Sequence, residues 1–275
     1  MYKKIKWSYL YLLFVFILLY LPIFFLVVYS FNAGDVMQGW DGFSLKHYNE
    51  LFADTRILEI IVNTFLIALL SSLLATVIGT AGALYIYNQT NALTKNIFLS
   101  LNNILLVSPD VIIGASFLIL FTVVGFSLGF VSVLLAHIAF SIPIVVLMVL
   151  PRLQEMNQSL VIAAKDLGAG NWQMLSRVIL PVISPGILAG FFMALTYSLD
   201  DFAVTFFVTG NGFSTLSVEI YSRARQGVSL EINALSAMMF LVSLALVFIY
   251  YVISTRFAKS KKRGTRLVLP ASEGL

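Results

Sequence analysis

The chain of 275 residues is 60% hydrophobic and 11% charged, with a mean hydropathy of +0.95, which excludes a water-soluble domain, where charged residues run at roughly 25%. Cysteine is absent, so disulfides, thiolate metal sites, iron–sulfur clusters and a cysteine nucleophile are excluded together. The net charge of +4 does not point to nucleic acid, because the basic residues flank apolar runs instead of interleaving with exposed aromatics.

Met1 to Lys6 is basic and precedes an apolar run, as in a secretory signal. That run stays uncharged from Trp7 to Phe31 and has no small-residue cleavage site, so it is expected to remain as a first membrane span. A helix needs about 20 apolar residues to cross a hydrocarbon core of about 30 Å. Six runs satisfy that length, at about 8–29, 60–87, 97–123, 131–150, 186–208 and 232–255. None alternates polar and apolar residues as a barrel strand does. The expected fold is therefore an all-α polytopic membrane protein with six transmembrane helices in one domain over 1–258, followed by a basic, disordered tail at 259–275. Of the 17 lysines and arginines, Lys46, Arg56, Arg223 and Arg225 fall on the loops at about 31–59 and 209–231. The others gather at the two termini, at Lys95 and within 151–185. The positive-inside rule then places both termini and segment 151–185 in the cytoplasm. No loop is long enough to bury a core of its own.

The two histidines, His47 and His137, lie 90 positions apart and form no sequence-local metal pair; each reads first as a structural residue. Asp110 stands inside the third span, after Ser108 and Pro109. Serine as cap, proline at the first position and an acid at the positive end of the dipole make a good helix start. A structural restart and a pathway acid are compatible readings, since broken helices line transporter pathways.

Segment 151–185 interrupts the apolar sequence. Gln158 to Leu167 predicts a short helix that stops at Gly168-Ala169-Gly170, and Asn171 is the expected cap of a second helix, to be ended by Pro181 and Pro185. Leu160, Ala163, Ala164 and Leu167 follow the i, i+3, i+4, i+7 spacing, so the first helix has one apolar face, either to rest on its own bundle or to dock a second protein. In the fifth span, Asp200 is 14 residues beyond Gly186, roughly 21 Å along a helix. A carboxylate near the membrane centre costs about 2.5–3.5 kcal/mol, so neither Asp200 nor Asp201 is expected to face lipid. Two readings remain open: a structural pair capping a broken span, or a cation-attracting site with Tyr197 one turn before Asp201. Glu219, Arg223 and Arg225 suggest a short helix on the outer loop, either solvated or docking another protein.

The 151–185 segment resembles the coupling loop of the inner-membrane permease subunits of ABC importers, whose signature is Glu-Ala-Ala, three residues, Gly, nine residues, then Ile-x-Leu-Pro. Here stand Ala163, Ala164, Gly168, nine intervening residues and Val178-Ile179-Leu180-Pro181, with Ile162 in place of the signature glutamate. Further on, 194–201, 207–210, 220–222 and 233–236 are similar to the spermidine/putrescine permease subunits of that family. The resemblance implies a MetI-like permease fold, with the helix-turn-helix coupling loop between helices 4 and 5. It implies alternating access and a bacterial cytoplasmic membrane location. The partners it implies are a dimer of cytoplasmic ATP-binding subunits, a second permease that is a paralogue of this one, and an extracytoplasmic polyamine-binding protein. Substrate-pathway roles would fall to Asp110, Tyr197, Asp200 and Asp201, and coupling roles to Ala163, Ala164, Asp166, Gly168, Ala169, Leu180 and Pro181.

No glycine is followed by lysine, so the phosphate-cradling G-x-x-x-x-G-K-[ST] loop is missing and ATP hydrolysis is expected on a separate subunit. No cofactor is expected, and an intramembrane enzyme finds neither a paired-histidine metal motif nor a G-x-S-x-G turn. Two other readings stay open: a permease for another small solute, and an ion-coupled transporter or channel, for which inverted sequence repeats are not seen.

Overall fold

A computed structural model of the chain describes residues 7–35, 37, 39–226 and 230–266. In chain order the helices are α1 (Trp7–Tyr29), α2 (Lys46–Ala53), α3 (Thr55–Asn88), α4 (Ala92–Val107), α5 (Asp110–Val124) and α6 (Phe130–Gln154). They continue with α7 (Gln158–Asp166), α8 (Asn171–Met174), a π-helical turn (Leu175–Ile179), α9 (Leu180–Asp200), α10 (Ala203–Val208), α11 (Leu216–Gln226) and α12 (Leu230–Arg266). Among the described residues the only β pairing is one bridge, Asn32 to Phe43. Among the described residues five stretches are long and apolar enough to cross a membrane: α1, α3, α6, the run from α8 through α9, and α12. The pair α4 and α5, bent by 105°, makes a sixth if taken as one broken span. The protein is a multi-pass, all-helical membrane protein.

The third and fifth spans depart from the continuous helices expected. At 97–123 the helix breaks at Ser108 and Pro109, both extended, with ψ of 136° and 134°. Proline has no N–H to donate, and it biases the residue before it away from helical ψ. The fifth span begins earlier than Gly186 and ends earlier than Val208. Neither Pro181 nor Pro185 stops it. The π-turn absorbs the missing donor: Leu180 N–H bonds the Leu175 carbonyl, five residues back, and Pro181 then falls in the first turn of α9, where no N–H is needed. At its other end the helix stops at Asp200, Asp201 turns extended (ψ 119°), and α10 restarts at Ala203. The expected irregular tail is also shortened, because α12 runs as helix to Arg266; residues 267–275 lie outside the described residues.

The chain forms two compact units. The first comprises 1–62 and 215–244. Its core is Leu51, Ile57, Ile60, Leu216, Ala234 and Leu235. Its α1 is apolar on every face and exposed along most of its length, as a lipid-facing helix is. The second unit comprises 63–214 and 245–275. Here α6 is the most buried span and packs on α9, α10, α4 and α5. Glycines set the closest approach: a Cβ on Gly79 would lie 2.7 Å from Val145 Cβ, and one on Gly190 would lie 3.2 Å from Val145 Cα. Small residues let helix backbones meet where lipid gives no hydrophobic drive for association.

Candidate functional site

The two breaks belong to the second unit and are joined there. Tyr197 Oη on α9 donates to Asp110 Oδ1 at the start of α5, at 2.7 Å. The restarted half-helices α5 and α10 pack directly against each other. The contact is at Gly114, where a Cβ would lie 3.0 Å from Val204 Cα and 3.1 Å from the Ala203 carbonyl oxygen. Each half-helix starts with an aspartate near its positive end, which the helix dipole favours.

The adjacent acids at the second break differ. Asp201 is 8% exposed. Its Oδ2 accepts from Thr205 N–H at 2.8 Å and from Thr205 Oγ1 at 2.7 Å, and Oδ1 accepts from Val204 N–H at 3.3 Å. This is the geometry of a carboxylate capping the restarted helix α10. Asp200 is exposed, as is much of Tyr197 (37%), while Asp110 is half-buried. The ring of Tyr197 stands edge-on to Phe140, and Phe202 and Phe206 lie beyond the break with ring centres 5.4 Å apart. The sequence has no lysine or arginine between Lys95 and Arg152 or between Arg177 and Arg223.

His137, expected as a structural residue, is fully buried beside Asp201. Nδ1 is 2.6 Å from Ser198 Oγ, Nε2 is 2.8 Å from Thr205 Oγ1, and Nε2 is 3.5 Å from Asp201 Oδ2. Ser198 Oγ in turn meets Ser71 Oγ on α3 at 3.0 Å. Ser198 and Thr205 stand three residues before and four after Asp201, a helical spacing visible in the sequence. The partner 64 positions upstream carries no such local signal.

The hairpin of α7 and α8 forms the second candidate site. Gly168 ends α7 with φ +78°, its N–H donating to the Lys165 carbonyl while Ala169 N–H donates to the Ala164 carbonyl. This is the left-handed helix stop that glycine adopts without a Cβ clash. The cap of α8 is Gly170, with Gln173 Oε1 accepting from its N–H; Asn171, expected as the cap, is the first helical residue. At the base Gln158 Nε2 donates to the Tyr87 hydroxyl. A cavity of about 490 Å³ lies there, lined by Tyr87, Gln158, Lys165 and Met174 among others. On the apolar face of α7, Ala164 is half-buried while Leu160, Ala163 and Leu167 are exposed. Leu160 is 47% exposed, Ile162 58% and Leu167 88%, with Trp172 of α8 at 75%.

In the first unit, Glu219 of α11 is buried and held by Arg223 Nε at 2.8 Å and Arg56 at 3.0 Å, and Arg223 also meets Glu231 at 2.9 Å. Partial burial works against the Arg223 charge, but Glu219, Glu231 and Asp54 outweigh it and raise the guanidinium pKa above its ordinary value. This helix is a folded ionic cluster, and the solvated-helix reading fails for Glu219. Among the described residues no group of three or more His, Cys, Asp or Glu is placed to hold a metal.

Comparison with known proteins gives four findings. Over 246 residues the chain is 38% identical to the spermidine/putrescine transport system permease protein PotC of Haemophilus influenzae, covering 88% of this chain and 94% of that one. It is 33% identical over 263 residues to the putrescine transport system permease protein PotI of Escherichia coli K12, covering 94% of each. Its fold matches a chain of a bacterial ABC transporter that imports the acidic polysaccharide alginate, with a TM-score of 0.71, 20% identity, and 91% and 94% of the two chains covered. Residues 75–263 match the profile of the binding-protein-dependent transport system inner membrane component, and the chain belongs to that family of ABC importer permeases.

Proposed function

We propose that this chain is a transmembrane permease subunit of an ATP-driven importer of polyamines, forming the translocation pathway by alternating access. The observation that carries the reading is the exposed Asp200 at the break of the fifth span, beside the Tyr197–Asp110 pair and in a stretch without lysine or arginine. A polyamine is a flexible chain of separated ammonium groups, which matches carboxylates set at intervals and aromatic faces. The relatives named for spermidine and putrescine support the same substrate class. Asp200, Asp110 and Tyr197 meet the substrate, and Asp201 borders the pathway by holding the break in place.

The hairpin is the docking element for cytoplasmic ATP-binding subunits. Ala163, Ala164 and Asp166 lie on its first helix, Gly168 and Ala169 at the turn, and Leu180 and Pro181 where it enters the fifth span. The exposed Ile162, Leu167 and Trp172 supply apolar area for that contact. Both termini then lie in the cytoplasm of a bacterial cell. A second permease completes the pathway, and an extracytoplasmic binding protein delivers the substrate. The test is radiolabelled putrescine uptake by cells expressing the chain with its partner subunits. Competition by excess spermidine or putrescine, and none by an uncharged sugar or a neutral amino acid, is the expected result; uptake indifferent to both polyamines overturns the reading.

A further inference from the structure

His137, Asp201, Thr205, Ser198 and Ser71 form one buried chain of hydrogen bonds, and counting its protons places a hydrogen on Nε2. The Asp201 carboxylate accepts from two backbone N–H groups and from Thr205 Oγ1. Threonine has one hydroxyl proton, so with that proton on the carboxylate the Thr205 oxygen accepts from His137, and Nε2 carries a hydrogen. On the other side Nδ1 lies 2.6 Å from Ser198 Oγ, which meets Ser71 Oγ at 3.0 Å. Nε2 itself lies 3.5 Å from Asp201 Oδ2, so the ring reaches the carboxylate both through Thr205 and across a short gap.

We infer that His137 is a positioning residue for transport: donating from Nε2 to Thr205, which donates to Asp201, it holds that carboxylate in the break of the fifth span and so sets where Asp200 and Tyr197 meet the substrate. The inference rests on the reading of Asp200 as a substrate acid. Other titratable groups on the elements packed against α6 are Lys95 on α4, Asp110 on α5, and Tyr197 and Asp200 on α9, with none on α10. On α3, which supplies Ser71, the second unit holds Tyr85 and Tyr87. The ring's own contacts are Ser198, Thr205, Asp201 and the face of Phe140, 4.8 Å between centres.

The test has two arms on the full chain. The chain has two histidines, so 15N-histidine NMR in nanodiscs, with a His47→Gln variant to assign the signals, reads the His137 ring directly. A hydrogen on Nε2 is expected; a ring that carries its hydrogen on Nδ1 alone overturns the inference. In uptake assays of the complete importer, His137→Leu is expected to raise the half-saturation concentration about tenfold with the maximal rate within about twofold. His137→Gln, which keeps one donor, is expected to do so in part at wild-type membrane abundance. The double variant His137→Gln/Asp201→Asn is expected to transport like Asp201→Asn alone. An unchanged half-saturation concentration in an abundant His137→Gln variant, or single effects that multiply in the double variant, overturns the inference and leaves the substrate reading standing. Wild-type cells that take up no polyamine sink the substrate reading while the NMR arm still decides which ring nitrogen donates.

Discussion

Asp200 and Asp201 are neighbours in the chain with opposite surroundings, one exposed and the other enclosed by donors. Substituting each by asparagine is therefore expected to give different phenotypes. Asp200→Asn should raise the half-saturation concentration for polyamine uptake about tenfold, or about 1.4 kcal/mol, with thermal stability unchanged. Asp201→Asn removes part of a cap and should lower stability in detergent by about 1 kcal/mol, read from the unfolding midpoint. In the first unit, Arg223→Ala removes a charged hydrogen-bond partner of the buried Glu219 and is expected to cost about 1.5–3 kcal/mol, with Arg56 retaining part of the contact. The two adjacent acids and the nearby tyrosine were legible in the sequence, because carboxylates are costly in an apolar run. Which acid is open and which is enclosed was not, since that depends on a histidine brought in by tertiary packing.

At the scale of elements, the spans follow from the length of apolar runs, and the helix stop at Gly168 follows from the one residue type that adopts φ +78° without strain. The breaks were harder to read. Proline stops a helix at position 109 and leaves it running at 181, because the local backbone at 181 found a π-turn that needs no proline donor. Sequence rules for proline describe the residue, and the outcome depends on whether neighbours can satisfy the freed carbonyls. Gly168→Ala is expected to destabilise the hairpin by about 1–2 kcal/mol, seen as faster amide exchange at 163–169. Gly114→Val forces side-chain atoms between α5 and α10, where a Cβ alone would lie 2.8 Å from Phe207 Cδ2. Overpacking of about 1–3 kcal/mol should part the two half-helices, measured as lost uptake and a lower unfolding midpoint.

For the whole molecule, membrane class and all-helical fold were readable from composition and run length, and the family from the spacing of the hairpin motif. The pairing of the two breaks was not, since Asp110 and Tyr197 are far apart in sequence. Absence of cysteine makes orientation directly measurable. Single-cysteine variants at Leu167 and Trp40, both well exposed, should react oppositely in intact cells: a membrane-impermeant maleimide labels Trp40→Cys and spares Leu167→Cys until the membrane is opened. Because Pro181 does not interrupt it, the run from Asn171 to Asp200 is a single rod of 30 residues, about 45 Å long. A swing of about 5° at its foot would carry its tip, and with it the open acid, sideways by about 4 Å. On the proposed reading, no separate hinge would be required to turn a nudge at one face of the bilayer into a changed grip on a cation near the other.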